Sequence, residues 1–222
     1  MSDQKKILRS IMHGIKGLMP TDSSGEQTTS VRAYHKMLSI KDLLQGNLLN
    51  RWWDRDRWPV TSGNYLVGER KSPVAICTLT SPQLMEPLQK AEGTAIVGRL
   101  VTANLGIEKI IRNIISNPNI RYLLLCGEDS PVFHPGQTLH SLFEKGVDSD
   151  HRIIEAQGHY PVLINIDREL IEHFRNHIVL IDCTGEGNLD ALQRTIMRLG
   201  KAETALRLGV DYEQDHPIPP RA

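Results

Sequence analysis

Cysteine is scarce in this chain of 222 residues: Cys77, Cys126 and Cys183 stand far apart. Such spacing excludes a Cys-x-x-Cys metal site and a disulfide framework. Each of the three ends, or nearly ends, an apolar run, and buried free thiols in a reducing cytosol account for them. Charge of one sign is also missing. Lys+Arg and Asp+Glu both number 26, so the net charge is zero, and the basic excess of a nucleic-acid binder is absent. No apolar run reaches the roughly 18–20 residues of a membrane span. Near the N-terminus Lys5, Lys6 and Arg9 interrupt the apolar residues, so no secretory signal is read there and the expected location is cytoplasmic. The sequence has no phosphate-binding Gly-x-x-x-x-Gly-Lys, no Gly-x-Gly-x-x-Gly opening a helix, no Gly-x-Ser-x-Gly elbow and no His-Glu-x-x-His. Gly185-Glu186-Gly187 precedes a helix but lacks the third glycine.

What is present is the composition of a soluble globular protein, 40% hydrophobic and 23% charged. Residues 1–57 read as a helical N-terminal arm. In it Ile7, Leu8, Ile11, Met12, Ile15, Leu18 and Met19 recur at helical spacing opposite a basic face, a pattern that suits packing on the same chain, a partner or a membrane surface. A polar linker at 20–30 follows, and then Arg51-Trp52-Trp53-Asp54-Arg55-Asp56-Arg57-Trp58, where Arg and indole stack to glue the arm down or form a recognition surface. Residues 58–205 read as the main domain, and 206–222 as a loose tail.

Within 58–205 the periodicity predicts an α/β fold. Residues 73–79, 94–97, 120–126, 152–156 and 177–183 read as strands, with a short edge strand at 64–67. Residues 104–117, 137–145, 168–176 and 189–199 read as helices, and 81–92 as a connection. Asn104 is the expected N-cap of the first helix, whose buried face is Ile107, Ile110, Ile111, Ile114 and Ile115. Gly146 and Gly200 are the expected caps at the C-terminal ends of the second and last helices. The run 120–126 is apolar on both faces apart from its first residues, as in a central parallel strand. Alternation of this kind implies a Rossmann-like, doubly wound, mostly parallel sheet with helices on both faces. Right-handed crossovers then align the loops 80–92, 98–104, 127–137, 157–161 and 184–188 along one edge, where ligands bind.

Histidine is the chemical residue left on that edge. His134 follows the central strand, His140 lies shortly after it, and His159 sits on the 157–161 loop. A loop histidine serves as acid/base group, metal ligand, or solvated or capping residue. No spacing of His, Asp and Glu suggests a zinc trio.

The run from Asn104-Leu105-Gly106-Ile107-Glu108-Lys109 through Ser116-Asn117-Pro118-Asn119-Ile120-Arg121-Tyr122 to Cys126-Gly127 and Gly136-Gln137 closely resembles the A subunit of tetrahydromethanopterin S-methyltransferase. So do Trp58-Pro59-Val60 with Gly63–Gly68, Ser72–Ile76, and, more loosely, Ile154–Pro161. The resemblance covers residues 58–183. It implies a corrinoid (cobalamin or a relative) on a Rossmann-like domain that shuttles a methyl group from a tetrahydropterin to a thiol. The family's axial histidine lies in a Gly-His-x-x-Gly pattern whose final glycine matches Gly136. Counting back places Phe133 at the ligand position and His134 one residue later. The loop therefore either shifts by one, so that His134 ligates cobalt with His159 as a reserve, or the ligand is lost. Under the resemblance Thr102, Asn104, Gly127, Phe133, Gly136, Gln137 and His159 shape the cofactor pocket, and amides at the start of the 104–117 helix receive an anionic group. Ala103 replaces a family acid and His159 a small residue. Three functions stay open. The first is a soluble methyl carrier whose partner, another methyltransferase subunit, docks on the N-terminal arm. The second is a non-enzymatic binding or assembly module that has lost the corrinoid. The third is a pterin-linked enzyme without cobalt, with His134 and His159 as acid/base groups.

Overall fold

Strands and helices alternate through residues 58–208, the part of the chain that the computed structural model describes. They run β1 (Tyr65–Val67), β2 (Val74–Cys77), a 3-10 turn (Pro82–Leu84), α1 (Met85–Gln89), β3 (Thr94–Gly98), α2 (Leu105–Ile115), β4 (Tyr122–Gly127), α3 (Pro135–Lys145), α4 (Arg168–His177), β5 (Val179–Thr184) and α5 (Leu189–Arg207). The expected arm, its linker at 20–30, Trp52, Trp53 and the tail beyond 208 lie outside the described residues.

The five strands form one mixed sheet in the order β1-β3-β2-β4-β5. β1 is antiparallel to β3, with Leu66 opposite Val97. The other pairs are parallel, with Ala75 beside Leu123 and Leu123 beside Leu180. From β2 the chain moves out to β3, then returns past β2 to β4 and β5. The winding reverses between β2 and β4, the place where an open parallel sheet leaves a crevice at its carboxyl edge.

β2 and β4 are buried at every residue because helices cover both faces. On one face Ala75, Cys77, Leu123 and Leu125 meet Ile107 and Ile111 of α2, Leu139 and Leu142 of α3, and Phe174 of α4. On the other, Val74, Ile76, Leu124 and Cys126 meet Leu88 of α1 and Leu192, Ile196 and Leu199 of α5. Each such Val, Leu, Ile or Phe side chain contributes about 1.5–3 kcal/mol by leaving water. α2 also carries two buried polar residues. The Glu108 carboxylate accepts from the backbone N–H (2.9 Å) and side-chain amide (3.0 Å) of Asn165. Asn113 exchanges two hydrogen bonds with the Thr61 backbone, and its own carbonyl accepts from Trp58 Nε1 at 2.7 Å. Trp58 therefore fastens the start of the domain to α2.

Four expectations need correction. The 81–92 connection contains a 3-10 turn and α1. Pro87 is tolerated because it is the third residue of α1, where backbone N–H groups lack helical partners in any case. Residues 152–156 are not a strand: they make only the isolated bridges Val147–Ile153 and Arg152–Val162. Glu155 turns the chain out of extension at φ 59°. Gly200 does not cap α5, which continues to Arg207 and buries Ala202 and Glu203. The glycine lies beside Gly93, and a Cβ there would make an ordinary 3.6 Å contact with the Gly93 Cα. Finally, Ile110 and Ile115 are only partly buried beside Ile107, Ile111 and Ile114. No helix among the described residues is long and apolar enough to cross a membrane.

Candidate functional site

The carboxyl ends of β2, β4 and β5 are stitched together before any side chain enters the site. Gly127 N–H donates to Glu186 O (2.9 Å), and Gly185 N–H returns to Gly127 O (2.8 Å). Thr80 N–H donates to Glu128 O (3.1 Å), and Glu128 N–H to Ser81 Oγ (2.9 Å). Gly127 sits at φ 75° where β4 turns into its loop.

The next residue but one organises that loop. Asp129 accepts from the backbone N–H groups of Ser130 (2.9 Å), Gly136 (2.9 Å) and Gln137 (3.0 Å). Its carboxylate satisfies the free amides at the start of α3 and complements the helix dipole. A Cβ on Gly136 would stand 2.9 Å from the Asp129 carboxyl carbon, so the glycine is required by the clamp. His134 is the N-cap of α3, with Pro135 as first helical residue. It holds left-handed backbone angles, φ 41° and ψ 44°, and its side chain does not cap the helix. Its backbone is pinned on both sides. His134 N–H donates to Ser130 O (2.9 Å), while its carbonyl accepts from Thr138 N (3.0 Å) and Thr138 Oγ1 (2.8 Å). Val132 and Phe133, the loop tip, are 71% and 49% exposed.

The 157–161 loop reaches this point without following a strand. Gln157 N–H donates to Gln137 Oε1 (2.8 Å), and Gln137 Nε2 donates to Ser141 Oγ (2.8 Å) and Glu155 O (3.2 Å). Gly158 N–H donates to Thr138 Oγ1 (3.1 Å), the hydroxyl that donates to His134 O. Gly158 is wedged tightly: a Cβ would stand 2.4 Å from Thr138 Oγ1, 2.5 Å from Ala103 Cβ and 3.1 Å from Phe133 O. Three loops therefore meet at one place, carrying Ala103, Phe133–Gln137 and Gly158.

Of the residues singled out from the sequence, Phe133, His134, Gly136 and Gln137 meet here, and Gly127 lies at the strand end beneath them. Thr102 and Asn104 flank Ala103, but each serves α2: Thr102 Oγ1 accepts from Gly106 N (3.0 Å) and Asn104 Oδ1 from Leu105 N (2.7 Å). Those two amides therefore already have partners within the helix start. His159 follows Gly158 and is exposed. His140 turns toward β5, with Nε2 4.0 Å from Asp182 Oδ2 and Nδ1 3.7 Å from Glu144 Oε2. Two residues that matter were not singled out. Asp129 acts seven positions before the glycine it holds, outside any capping motif. Thr138 has only its i+4 spacing from His134 as a signal.

None of the thiols is poised as a nucleophile. Burial pushes Cys77 up from 9.0 to about 12, and burial likewise raises Cys126 and Cys183. These thiols ionise first in the unfolded chain. Their contribution to stability is whole below pH 9.0 and is lost as pH rises toward the folded values. We expect stability to fall by up to about 1.4 kcal/mol per pH unit for each buried thiol above that point. Urea midpoints at about pH 8 and about pH 10 check this, and equal midpoints would contradict it.

Among the described residues no three His, Cys, Asp or Glu side chains gather as a metal-binding set. The imidazoles on these loops are those of His134 and of the exposed His159. A separate cleft of about 370 Å³ opens between Gly63–Tyr65, β3 and α2, with Ala75, Cys77, Ile96, Ile114 and Leu123 in its walls. Thr102 lines it, and no residue of the 127–137 loop does.

Comparison with known proteins bears on this arrangement. The family model for the A subunit of tetrahydromethanopterin S-methyltransferase matches residues 53–206. One A subunit of that enzyme from Methanobrevibacter ruminantium, the one numbered 1, is 46% identical over 128 residues, 57% of this chain and 51% of the relative. The A subunit from Methanocaldococcus jannaschii is 44% identical over 136 residues, 60% of this chain and 56% of the relative. The A subunit of a putative methyltransferase, Mtx, from Methanosarcina barkeri is 37% identical over 141 residues, 64% of this chain and 69% of the relative. The chain thus spans little more than half the length of the first two relatives. The matched span takes in the sheet, α2 with its caps, and all three converging loops, and on that match the chain belongs to the family of tetrahydromethanopterin S-methyltransferase A subunits.

Proposed function

We propose that this chain is a corrinoid-binding methyl carrier, a component of a methyltransferase system, on a Rossmann-like doubly wound domain. The observation that carries the reading is His134. Its backbone is fixed by Ser130 and Thr138, and its imidazole takes no part in capping the helix it begins. A non-glycine residue at positive φ is uncommon, and such strain collects at functional sites.

The residues present fit the cofactor. A corrinoid would bring its cobalt in its own macrocycle and would ask the protein for one nitrogen ligand, which the His134 imidazole would provide. Val132, Phe133 and Tyr160, all exposed on the converging loops, offer apolar surface to a flat ring. Gly185 and Gly187, on the loop after β5, have open space where a side chain would stand. When bound, the corrinoid supplies a cobalt centre able to accept and release a methyl group. The protein's part is to hold one imidazole at a fixed place and to leave the loop tips open to a partner protein with its methyl donor.

The test is reconstitution. Purified protein is mixed with hydroxocobalamin, passed over a sizing column, and its visible spectrum recorded. Corrinoid bands travelling with the protein are expected, and a colourless protein peak would overturn the reading. A second reading, a binding module without cobalt, is favoured by the exposure of Val132 and Phe133. It predicts a partner complex that forms without corrinoid and is lost in Val132→Ser/Phe133→Ser, and a complex unaffected by those changes would dismiss it.

A further inference from the structure

We infer that the cleft beside α2 binds a small apolar molecule bearing one carboxylate or phosphate, and that Arg99 takes the oxyanion. The inference goes beyond the corrinoid reading and does not depend on it, since no residue of the His134 loop lines this cleft.

The space is a cleft of about 370 Å³ lined by the sheet and α2, within the range of pockets for small molecules. Its walls are apolar, from Cys77, Ile96, Ile110 and Ile114. Its charged lining is of one sign: Arg99 and Lys109 line it, and no Asp or Glu does. Thr102 adds a hydroxyl whose oxygen already receives Gly106 N–H at 3.0 Å, leaving its own hydrogen to donate.

Arg99 is the second, independent observation. Its Nε is buried and has no hydrogen-bond partner, an arrangement that folded proteins avoid because a buried donor without an acceptor forfeits its hydration. The main chain there is fixed, with Arg99 N–H tied to Asn64 O at 3.1 Å. Arg175 shows the contrast. Its Nε is also without a partner, but its terminal nitrogens bind Glu172 (2.7 Å) and Phe143 O (3.1 Å), so the fold itself accounts for that guanidinium. Among the described residues no hydrogen bond or ion pair holds the Arg99 side chain. A guanidinium lining an apolar cleft suits the two oxygens of a carboxylate or phosphate, which its terminal nitrogens meet with paired N–H groups.

The experiment titrates the full chain with 2-naphthoate, 2-naphthyl phosphate and 2-naphthylmethanol by calorimetry. The three share one ring system and differ in the oxyanion. We expect at least one anion to bind about tenfold tighter than the alcohol or better, the tighter of the two identifying the oxyanion. Arg99→Met is expected to bring that anion down to the alcohol's affinity, while His134→Ala leaves it unchanged. The 15N-edited NMR signal of Arg99 Nε–H is expected to move with the anion and not with the alcohol, a readout that stands even where Arg99→Met fails to fold. Equal affinity of anions and alcohol, failure of both anions to bind, or anion binding that leaves the Arg99 signal unmoved would overturn the inference.

Discussion

Gly158→Ala is expected to lower stability by about 3 kcal/mol, the sum of overpacking at ~1–3 kcal/mol and one or two lost hydrogen bonds at ~1 kcal/mol each. The added methyl has nowhere to go. Its place lies 2.4 Å from Thr138 Oγ1 and 2.5 Å from Ala103 Cβ, and neither atom is the far end of a flexible side chain. Thr138 is buried and its hydroxyl holds both Gly158 N and His134 O. Ala103 Cβ moves only with its backbone. The chain must therefore part the three loops, and the Thr138 hydroxyl loses one or both partners. For a folded unit of this size the shift in Tm is roughly 6–12 °C, readable by thermal melting. Ala103→Gly removes one of the two obstructing atoms, so the double variant is expected to recover about 1 kcal/mol relative to Gly158→Ala alone. A melt of Gly158→Ala that matches the unaltered protein would show that the loops are not wedged together as described.

The elements legible in the sequence were those whose residues report their own burial. From Tyr122 to Cys126 the run is apolar on both faces because helices cover β4 on both sides. Ile107, Ile111 and Ile114 repeat at helical spacing because one face of α2 lies on the sheet. Asn104 and Gly146 mark helix ends by local hydrogen bonding and backbone freedom, and both stand there. Illegible were features that depend on what lands beside a residue. Ile153 and Ile154 have strand composition, but Glu155 turns the chain and the segment pairs only at single bridges. Gly200 has the composition of a helix end, yet it is a contact point for Gly93. The same distinction runs through the site. The family resemblance located the His134 loop, while its clamp by Asp129 and its tether to Gly158 through Thr138 are tertiary and leave no periodic trace. Arg99 lacks a motif altogether: only its unpartnered buried nitrogen beside a cleft draws notice.

His134→Gly is expected to leave the fold as stable as before, or more stable by about 0.5–1 kcal/mol, and to lose corrinoid binding. The two outcomes together separate a residue kept for chemistry from one kept for structure. The stability side follows from the backbone: φ is 41°, a conformation that glycine adopts without steric cost and other residues do not. The imidazole gives nothing back to the helix it begins, since it makes no capping bond. The binding side rests on the proposed role of His134 as the protein's one ligand to cobalt. Its removal is expected to weaken reconstitution by more than the roughly 10–100-fold that losing an outer partner of a metal-bound histidine costs. Phe133 supplies the complementary variant, because it stands where the family resemblance puts the ligand. Its N–H is held by Ser130 Oγ at 3.1 Å and its ring is about half exposed, at 49%. Phe133→His alone is expected to change corrinoid affinity by less than about threefold, or ~0.7 kcal/mol, because His134 already occupies the ligand's role. Phe133→His combined with His134→Gly decides the register. If that pair binds as tightly as the unaltered protein, position 133 is where the ligand belongs and the assignment to His134 fails. Continued loss in the pair would mean that the left-handed turn before Pro135 is what aims the imidazole.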